Sequence, residues 1–156
     1  MPGNMTDIEY DDAVFNKYRY AEKEVTLVGS LNANGDFDGT GNPSTLFTVT
    51  GTVIARVVAI CTTDVAGAAA TLEVGVAGGT AKLIAQTTGT DIDIGEIWHD
   101  ATPDSKIELS TVGAENIIAN GADIILTVGT ANATGGVLKF FVIWKPVSQD
   151  GNVVAA

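Results

Sequence analysis

From residue 23 onward the chain is a series of short apolar runs separated by clusters of Gly, Asn, Asp and Ser. Within most runs the apolar side chains occupy alternate positions, as Leu72, Val74 and Val76 do, and this period of two is typical of β-strands. No stretch keeps the 3.6-residue period of a helix over three turns. The predicted strands cover residues 23–31, 45–50, 52–62, 71–77, 81–86, 91–98, 115–119, 122–130 and 137–145.

Eight or nine strands at this regular spacing predict an all-β fold, an antiparallel β-sandwich with jelly-roll-like connections. Gly78-Gly79 and Asn120-Gly121 each separate two runs and predict tight hairpins. Pro146 ends the last run, since proline cannot donate a ladder hydrogen bond. We therefore expect an N-terminal arm at residues 1–22, a sandwich domain at 23–146 and a C-terminal tail at 147–156.

Two of the runs are apolar on both faces, although packing on a single core would bury only one of them. In residues 52–62, Val53, Ala55 and Val57 form one apolar face, and the opposite face is also largely apolar. The same holds in residues 137–145 for the face opposite Leu138 and Phe140. We call the residues of these opposite faces the second rows. A half-solvated antiparallel sheet would show polar residues there. Either the N-terminal arm or a neighbouring subunit is expected to cover these second rows, which contain Ile54, Arg56, Val58, Ile60, Phe141 and Ile143.

The N-terminal 22 residues combine acidic side chains with large rings. All three tyrosines of the chain lie here, and disordered tails are normally poor in aromatic residues. The pattern indicates an arm that docks on a partner, through Tyr10, Phe15, Tyr18 and Tyr20. The alternative is a short helix or strand that docks on its own domain.

Composition argues against several functions. The net charge of −11 disfavours nucleic acid and anionic membranes as partners, because both require clustered Lys and Arg. One His, one Cys and the absence of a recognised catalytic motif predict a protein that is not an enzyme. Cys61 lies in an apolar run and is expected to be a small buried side chain. No signal peptide or membrane span is expected.

Two acidic stretches are candidate metal sites. Asn34, Asp36 and Asp38 alternate as calcium ligands do and Gly39 follows them, although Thr45 stands where a bidentate Glu would be expected. The alternative is a polar loop whose Asn-Gly and Asp-Gly pairs make turns. Residues 91–104 place His99 near Glu96 and Asp100, a set able to hold a transition metal or to form a solvated acidic face. No other cofactor is expected.

Residues 45–130 combine Thr-, Val-, Ala- and Gly-rich strands with Ala-Gly loops and little charge. In this they resemble the capsid decoration (cement) and head-fibre proteins of tailed bacteriophages. The resemblance implies a β-sandwich that assembles as a homotrimer and reinforces the shell by contacting the major capsid protein or another virion protein. It implies synthesis in the host cytoplasm and a final place in the virion. The alternatives are a tail or fibre component, or a carbohydrate-binding sandwich that contacts host glycans.

Overall fold

The computed structural model describes residues 17–39, 42–109 and 115–156. The described chain forms two antiparallel sheets, which confirms the predicted β-sandwich. The described residues contain one 3-10 turn, Gly89–Asp91. The strands are β1 Arg19–Thr26, β2 Asn42–Thr50, β3 Val53–Ala66, β4 Thr71–Val76, β5 Gly79–Thr88, β6 Glu96–Trp98, β7 Asp104–Ser105, β8 Asn116–Ile118, β9 Ile124–Gly129, β10 Gly135–Pro146 and β11 Asn152–Ala155.

The strands divide unequally between the sheets. The first sheet has the order β1-β10-β3-β6-β7, and β8 also pairs with β3. The second sheet has the order β11-β2-β9-β4-β5. The long strands β3 and β10 pair along almost their whole length and form the centre of the first sheet. Within the described residues, no helix has the length and hydropathy needed to cross a membrane.

The core lies between the sheets and is mainly aliphatic. On β3 and β10 the inward row is fully buried, with Val57, Ala59 and Val142 each at 0% exposure. Trp98 of β6 meets Phe140 edge to face, with ring centroids 6.2 Å apart, a favoured aromatic geometry. Cys61 is buried in the same row, in agreement with its expected role as a small hydrophobic side chain.

One predicted hairpin is confirmed and the other is wrong. β4 and β5 pair across Gly78-Gly79, with Val76 opposite Gly79. Asn120-Gly121 instead joins β8 of the first sheet to β9 of the second. Both residues have the positive φ that a tight turn needs, 58° and 67°. However, Gly121 N donates to Gly51 O at 2.8 Å, so the turn packs on the β2–β3 connection and carries the chain between sheets.

The strands also extend beyond the predicted domain bounds. β1 begins at Arg19, inside the predicted arm, and β11 lies in the predicted tail, where it pairs with β2. Residues 91–98 hold only the three-residue strand β6, because Asp91 ends the 3-10 turn and residues 92–95 form a loop. The jelly-roll connections remain a prediction.

Candidate interaction surface

The outward surface of β10 and β3 carries the second apolar row that the sequence predicts. Residues paired in register share a face of a sheet, and Val58 lies opposite Phe141 while Arg56 lies opposite Ile143. These four side chains are half-buried, unlike the fully buried inward row. Ile60 continues the row and pairs with Ile97 of β6.

This surface is concave. A groove of about 330 Å³ is open to solvent along it. We call it the outer groove, and its lining residues are Arg56, Val58, Ile60, Ile97, Glu108, Leu109, Phe141 and Ile143. Five of these eight are among the residues predicted as interface, and Ile54 lies just beyond them, opposite Lys145.

Three lining residues are missing from the sequence prediction. Ile97 is adjacent to Trp98 on β6, and because neighbours on a strand face opposite ways, the burial of Trp98 places Ile97 outward. Glu108 and Leu109 lie outside any strand, and only the folded chain brings them to the groove. Leu109 is 71% exposed, which leaves a large apolar side chain in solvent at the rim.

Arg56 is the cationic residue of the groove wall, and Glu108 is the anionic one. The Arg56 Nε atom is buried and makes no hydrogen bond within the described part of the chain. Its guanidinium carbon lies 5.9 Å from the centre of the Tyr18 ring, a cation–π distance. A buried donor without an acceptor destabilises the protein by about 1–3 kcal/mol, so an arriving carboxylate or carbonyl oxygen would be favoured here.

The tyrosines that the structure describes lie on the same surface. The Tyr18 ring also lies 5.0 Å from Lys145 Nζ, and its hydroxyl donates to the carboxylate of Glu115. Tyr20 lies opposite Ile143 and is 74% exposed. Tyr10 and Phe15, the other predicted arm residues, lie outside the described residues.

Lysines border the groove on β10. Lys139 Nζ lies 3.3 Å from Glu22 Oε1 and 5.5 Å from the Phe141 ring centre. Together with Lys145 and Arg56, it gives the outward surface of β3 and β10 three cations on a chain of net charge −11. The surface is therefore apolar in its centre and carries both signs of charge at its border, where the carboxylates of Glu22, Glu108 and Glu115 also lie.

The predicted calcium loop is closed by hydrogen bonds within the protein. Asp36 is buried and accepts from Asn32 N at 2.9 Å, while Asn34 Oδ1 accepts from Ser44 Oγ at 2.8 Å. Asn132 joins the loop to the connection between β9 and β10, since it accepts from Phe37 N and donates to Gly29 O. Asp38 is exposed. These bonds account for the loop conformation, and calcium binding stays a prediction.

His99 lies beside Asp100, as predicted, and gathers Asp104 and Glu108 in place of Glu96. Its Nε2 atom lies 3.0 Å from Asp104 Oδ2, and its Nδ1 atom 3.7 Å from Asp100 Oδ2. Glu108 completes a group with His99 and Asp104, whose ligand atoms all lie within 4.8 Å of one another. Glu96 instead accepts from Asp93 N. One histidine and two carboxylates can bind a divalent cation. The same contacts are also those of ion pairs between a histidine and neighbouring acids.

Comparison with known proteins identifies no similar protein. No family model, no curated protein and no solved structure matches the chain.

Proposed function

We propose that this chain is a non-enzymatic structural protein of a tailed bacteriophage that decorates or cements the capsid, assembling as a homotrimer. The observation that carries the proposal is the outer groove, an apolar and concave surface on the central strands of the first sheet. Contiguous apolar surface rimmed by charge is typical of protein–protein interfaces. The resemblance of residues 45–130 to capsid decoration proteins supports the choice of a phage particle.

The burial of the large aromatic residues favours assembly over glycan binding. Sugar-binding surfaces expose flat rings, whereas Trp98 is 0% and Trp144 2% exposed. Among the described residues the exposed aromatic rings are Tyr18, which lies beside Arg56 and Lys145, and Tyr20, which lies opposite Ile143. Such a mixture of Tyr, Arg and aliphatic residues is characteristic of protein interfaces.

The surroundings of His99 also favour a structural role. Both of its ring nitrogens face carboxylates, Asp100 on one side and Asp104 on the other. A general base needs a ring nitrogen within reach of the proton it removes. Cys61, the one thiol of the chain, is buried, and burial raises its pKa to about 11, which makes it a poor nucleophile at neutral pH.

Immunogold electron microscopy of purified phage particles from the source tests the proposal. Antibodies raised against the chain should label the heads. Labelling confined to tails or fibres would favour the alternative function, and unlabelled particles would overturn both. A second test is the binding of the purified chain to undecorated capsids, measured by co-sedimentation. Val58→Asp in the outer groove should reduce binding, and Thr48→Asp, on an exposed position of β2 in the other sheet, should not.

A further inference from the structure

We propose that His99, Asp104 and Glu108 form an exchangeable binding site for one divalent cation of the Mn²⁺ type. The site lies beside the outer groove and does not depend on what that groove binds. Three observations carry it: the anchoring of His99, the spacing of the ligand atoms, and the excess of carboxylates over cations around them.

His99 is held in place by its neighbours on both sides. Trp98 Nε1 donates to Thr87 Oγ1 at 2.8 Å, and the same hydroxyl lies 3.1 Å from its acceptor Asp100 O. Thr87 is buried, and the imidazole between these two contacts is only 8% exposed. The chain is therefore fixed before and after the ring. A ligand that is already immobile loses little conformational entropy when an ion binds.

Asp100 orients the His99 ring by its charge. Its Oδ1 atom accepts from Thr102 N at 2.7 Å, which fixes the side chain, and its Oδ2 atom lies 3.7 Å from His99 Nδ1. This distance is too long for a hydrogen bond but short enough for charge attraction. A carboxylate near one ring nitrogen favours the proton there and leaves the other nitrogen free to bind a metal. Asp100 is therefore a positioning residue, and Nε2, which faces Asp104, is the ligand atom.

The ligand atoms have a spacing that suits one ion. Asp104 lies on β7 opposite Ile97 of β6, and its Oδ2 atom is 3.0 Å from His99 Nε2. Two atoms bound about 2.1 Å from the same ion lie about 3.0–3.4 Å from each other. The ligand atom of Glu108 is within 4.8 Å of both. Glu108 Oε1 accepts from Leu109 N, so a rotation of this side chain can turn Oε2 towards the other two.

Carboxylates outnumber cations at this place. Among the described residues, neither Asp104 nor Glu108 forms an ion pair with a Lys or Arg side chain. Arg56 lines the outer groove with Glu108, but its guanidinium lies over the Tyr18 ring. One imidazole can balance at most one of the charges on Asp100, Asp104 and Glu108. A divalent cation balances two and binds the oxygens directly, which is favoured on a chain of net charge −11.

The types of ligand indicate the ion. Two of the three ligand atoms are oxygens, and the Asp104 side chain is 41% exposed, so water would fill the other positions. Carboxylates and water suit Mn²⁺, whereas zinc and iron sites draw on more nitrogen or sulfur. The exposure also allows exchange, so the ion is bound when manganese is supplied and lost when it is removed. When bound, it ties β6 and β7 to the segment that brings Leu109 to the groove.

Titration of the full-length chain with MnCl₂ tests the site, with free Mn²⁺ followed by electron paramagnetic resonance. The free-ion signal should fall as a single site per chain fills. The melting temperature should rise with the ion concentration, because the ion binds the folded state. Asp104→Asn and Glu108→Gln keep the shape of each side chain and remove its charge. Each should raise the Mn²⁺ dissociation constant at least about tenfold and abolish the rise in melting temperature.

Two further variants serve as matched controls. Glu96→Gln removes a carboxylate of the same segment that accepts from Asp93 N and is not in the group, so Mn²⁺ affinity should not change. Asp100→Asn keeps the bond to Thr102 N and removes the charge that faces the ring. It should raise the dissociation constant about tenfold and leave the stoichiometry as it is. Circular dichroism should show the same β spectrum for every variant.

Four results would overturn the site. Binding that persists in Asp104→Asn and Glu108→Gln would place the ion elsewhere on the chain. Affinity that falls in Glu96→Gln but not in Glu108→Gln would select a different ligand set. Displacement of Mn²⁺ by an equal concentration of Mg²⁺, which rarely binds imidazole, would indicate a loosely held counter-ion. No binding up to about 1 mM, the weak end of oxygen-rich cation sites, would leave the His99 contacts as ion pairs.

Discussion

At the residue scale, the environments of single side chains explain why the chain has little reactive chemistry. Cys61 is 1% exposed and its Sγ atom lies 3.2 Å from Thr63 O. Burial raises the thiol pKa from 9.0 to about 11, with a smaller opposing effect of the backbone contact to Thr63. The folded state therefore keeps the thiol protonated at pH values where the unfolded chain has begun to lose the proton.

This pKa shift predicts a loss of stability in alkali. Because the folded pKa lies above the unfolded one, the contribution of Cys61 is fully present below pH 9.0 and is lost as the pH rises towards 11. The loss is at most about 1.4 kcal/mol per pH unit. Urea unfolding of the protein and of Cys61→Ala between pH 8 and 11 should show a steeper decline for the unmodified chain. Parallel declines would contradict the prediction.

His99 is the second residue whose role can be tested singly. Removing the ring in His99→Ala should leave capsid binding unchanged and lower the free energy of unfolding by about 1 kcal/mol, since Asp104 and Glu108 lose their neighbour. Elemental analysis of the unmodified protein should find no stoichiometric zinc or iron. Stoichiometric zinc or iron that disappears in His99→Ala would instead make the group with Asp104 and Glu108 a tight site for that metal.

At the element scale, the sequence predicts strands well wherever side-chain alternation is determined by burial. The sequence of residues 52–62 and 137–145 is enough to assign the side chains of β3 and β10 to the inner or outer face. A shift of one residue in strand register would move every buried side chain to the other face of the sheet. The pairing of β8 with β3 could not be assigned in this way, since it depends on contacts between distant parts of the chain. Asn120-Gly121 specifies a turn conformation and not which strands the turn joins.

The loop between β1 and β2 offers a test with a matched pair of glycines. Gly35 and Gly39 both have positive φ, 92° and 97°. A Cβ atom at Gly35 would lie 2.3 Å from Ala133 O, whereas one at Gly39 would meet no atom of the described residues within 4 Å. Gly39→Ala should therefore destabilise the fold by about 1–2 kcal/mol from backbone strain alone. Gly35→Ala should destabilise it further, because the Ala133 backbone cannot move without disturbing the loop.

Thermal unfolding followed by circular dichroism measures this difference directly. Equal melting temperatures for the two variants would show that the contact between the loop and Ala133 is not maintained in solution. The same comparison also bears on calcium, since a bound ion at Asn34, Asp36 and Asp38 would make the melting temperature fall on addition of a chelator.

At the scale of the whole molecule, the candidate surface was partly predictable. The sequence shows that β3 and β10 have a second, largely apolar row, because Ile54, Val58, Ile60, Phe141 and Ile143 alternate with the inward side chains. It does not show that the row is concave, since Leu109 and Glu108 reach the groove from a segment outside the strands. The hydrophobic pattern of one chain likewise does not identify which protein binds this surface, because that depends on the assembled particle.

The oligomeric state is the prediction that belongs to this scale. We expect a trimer in light scattering at micromolar concentration, because the half-buried Val58, Phe141 and Ile143 would leave water at about 25 cal/mol per Å² of apolar area. Copies of charge −11 repel one another, and the apolar contact has to outweigh that repulsion. At 1 M salt, where screening acts over about 3 Å, exposed charge contacts weaken while the apolar contact remains. The trimer should therefore persist in high salt for the unmodified chain and for Thr48→Asp, and Val58→Asp should be monomeric at every salt concentration. A monomeric unmodified chain at low and high salt would contradict assembly through this surface.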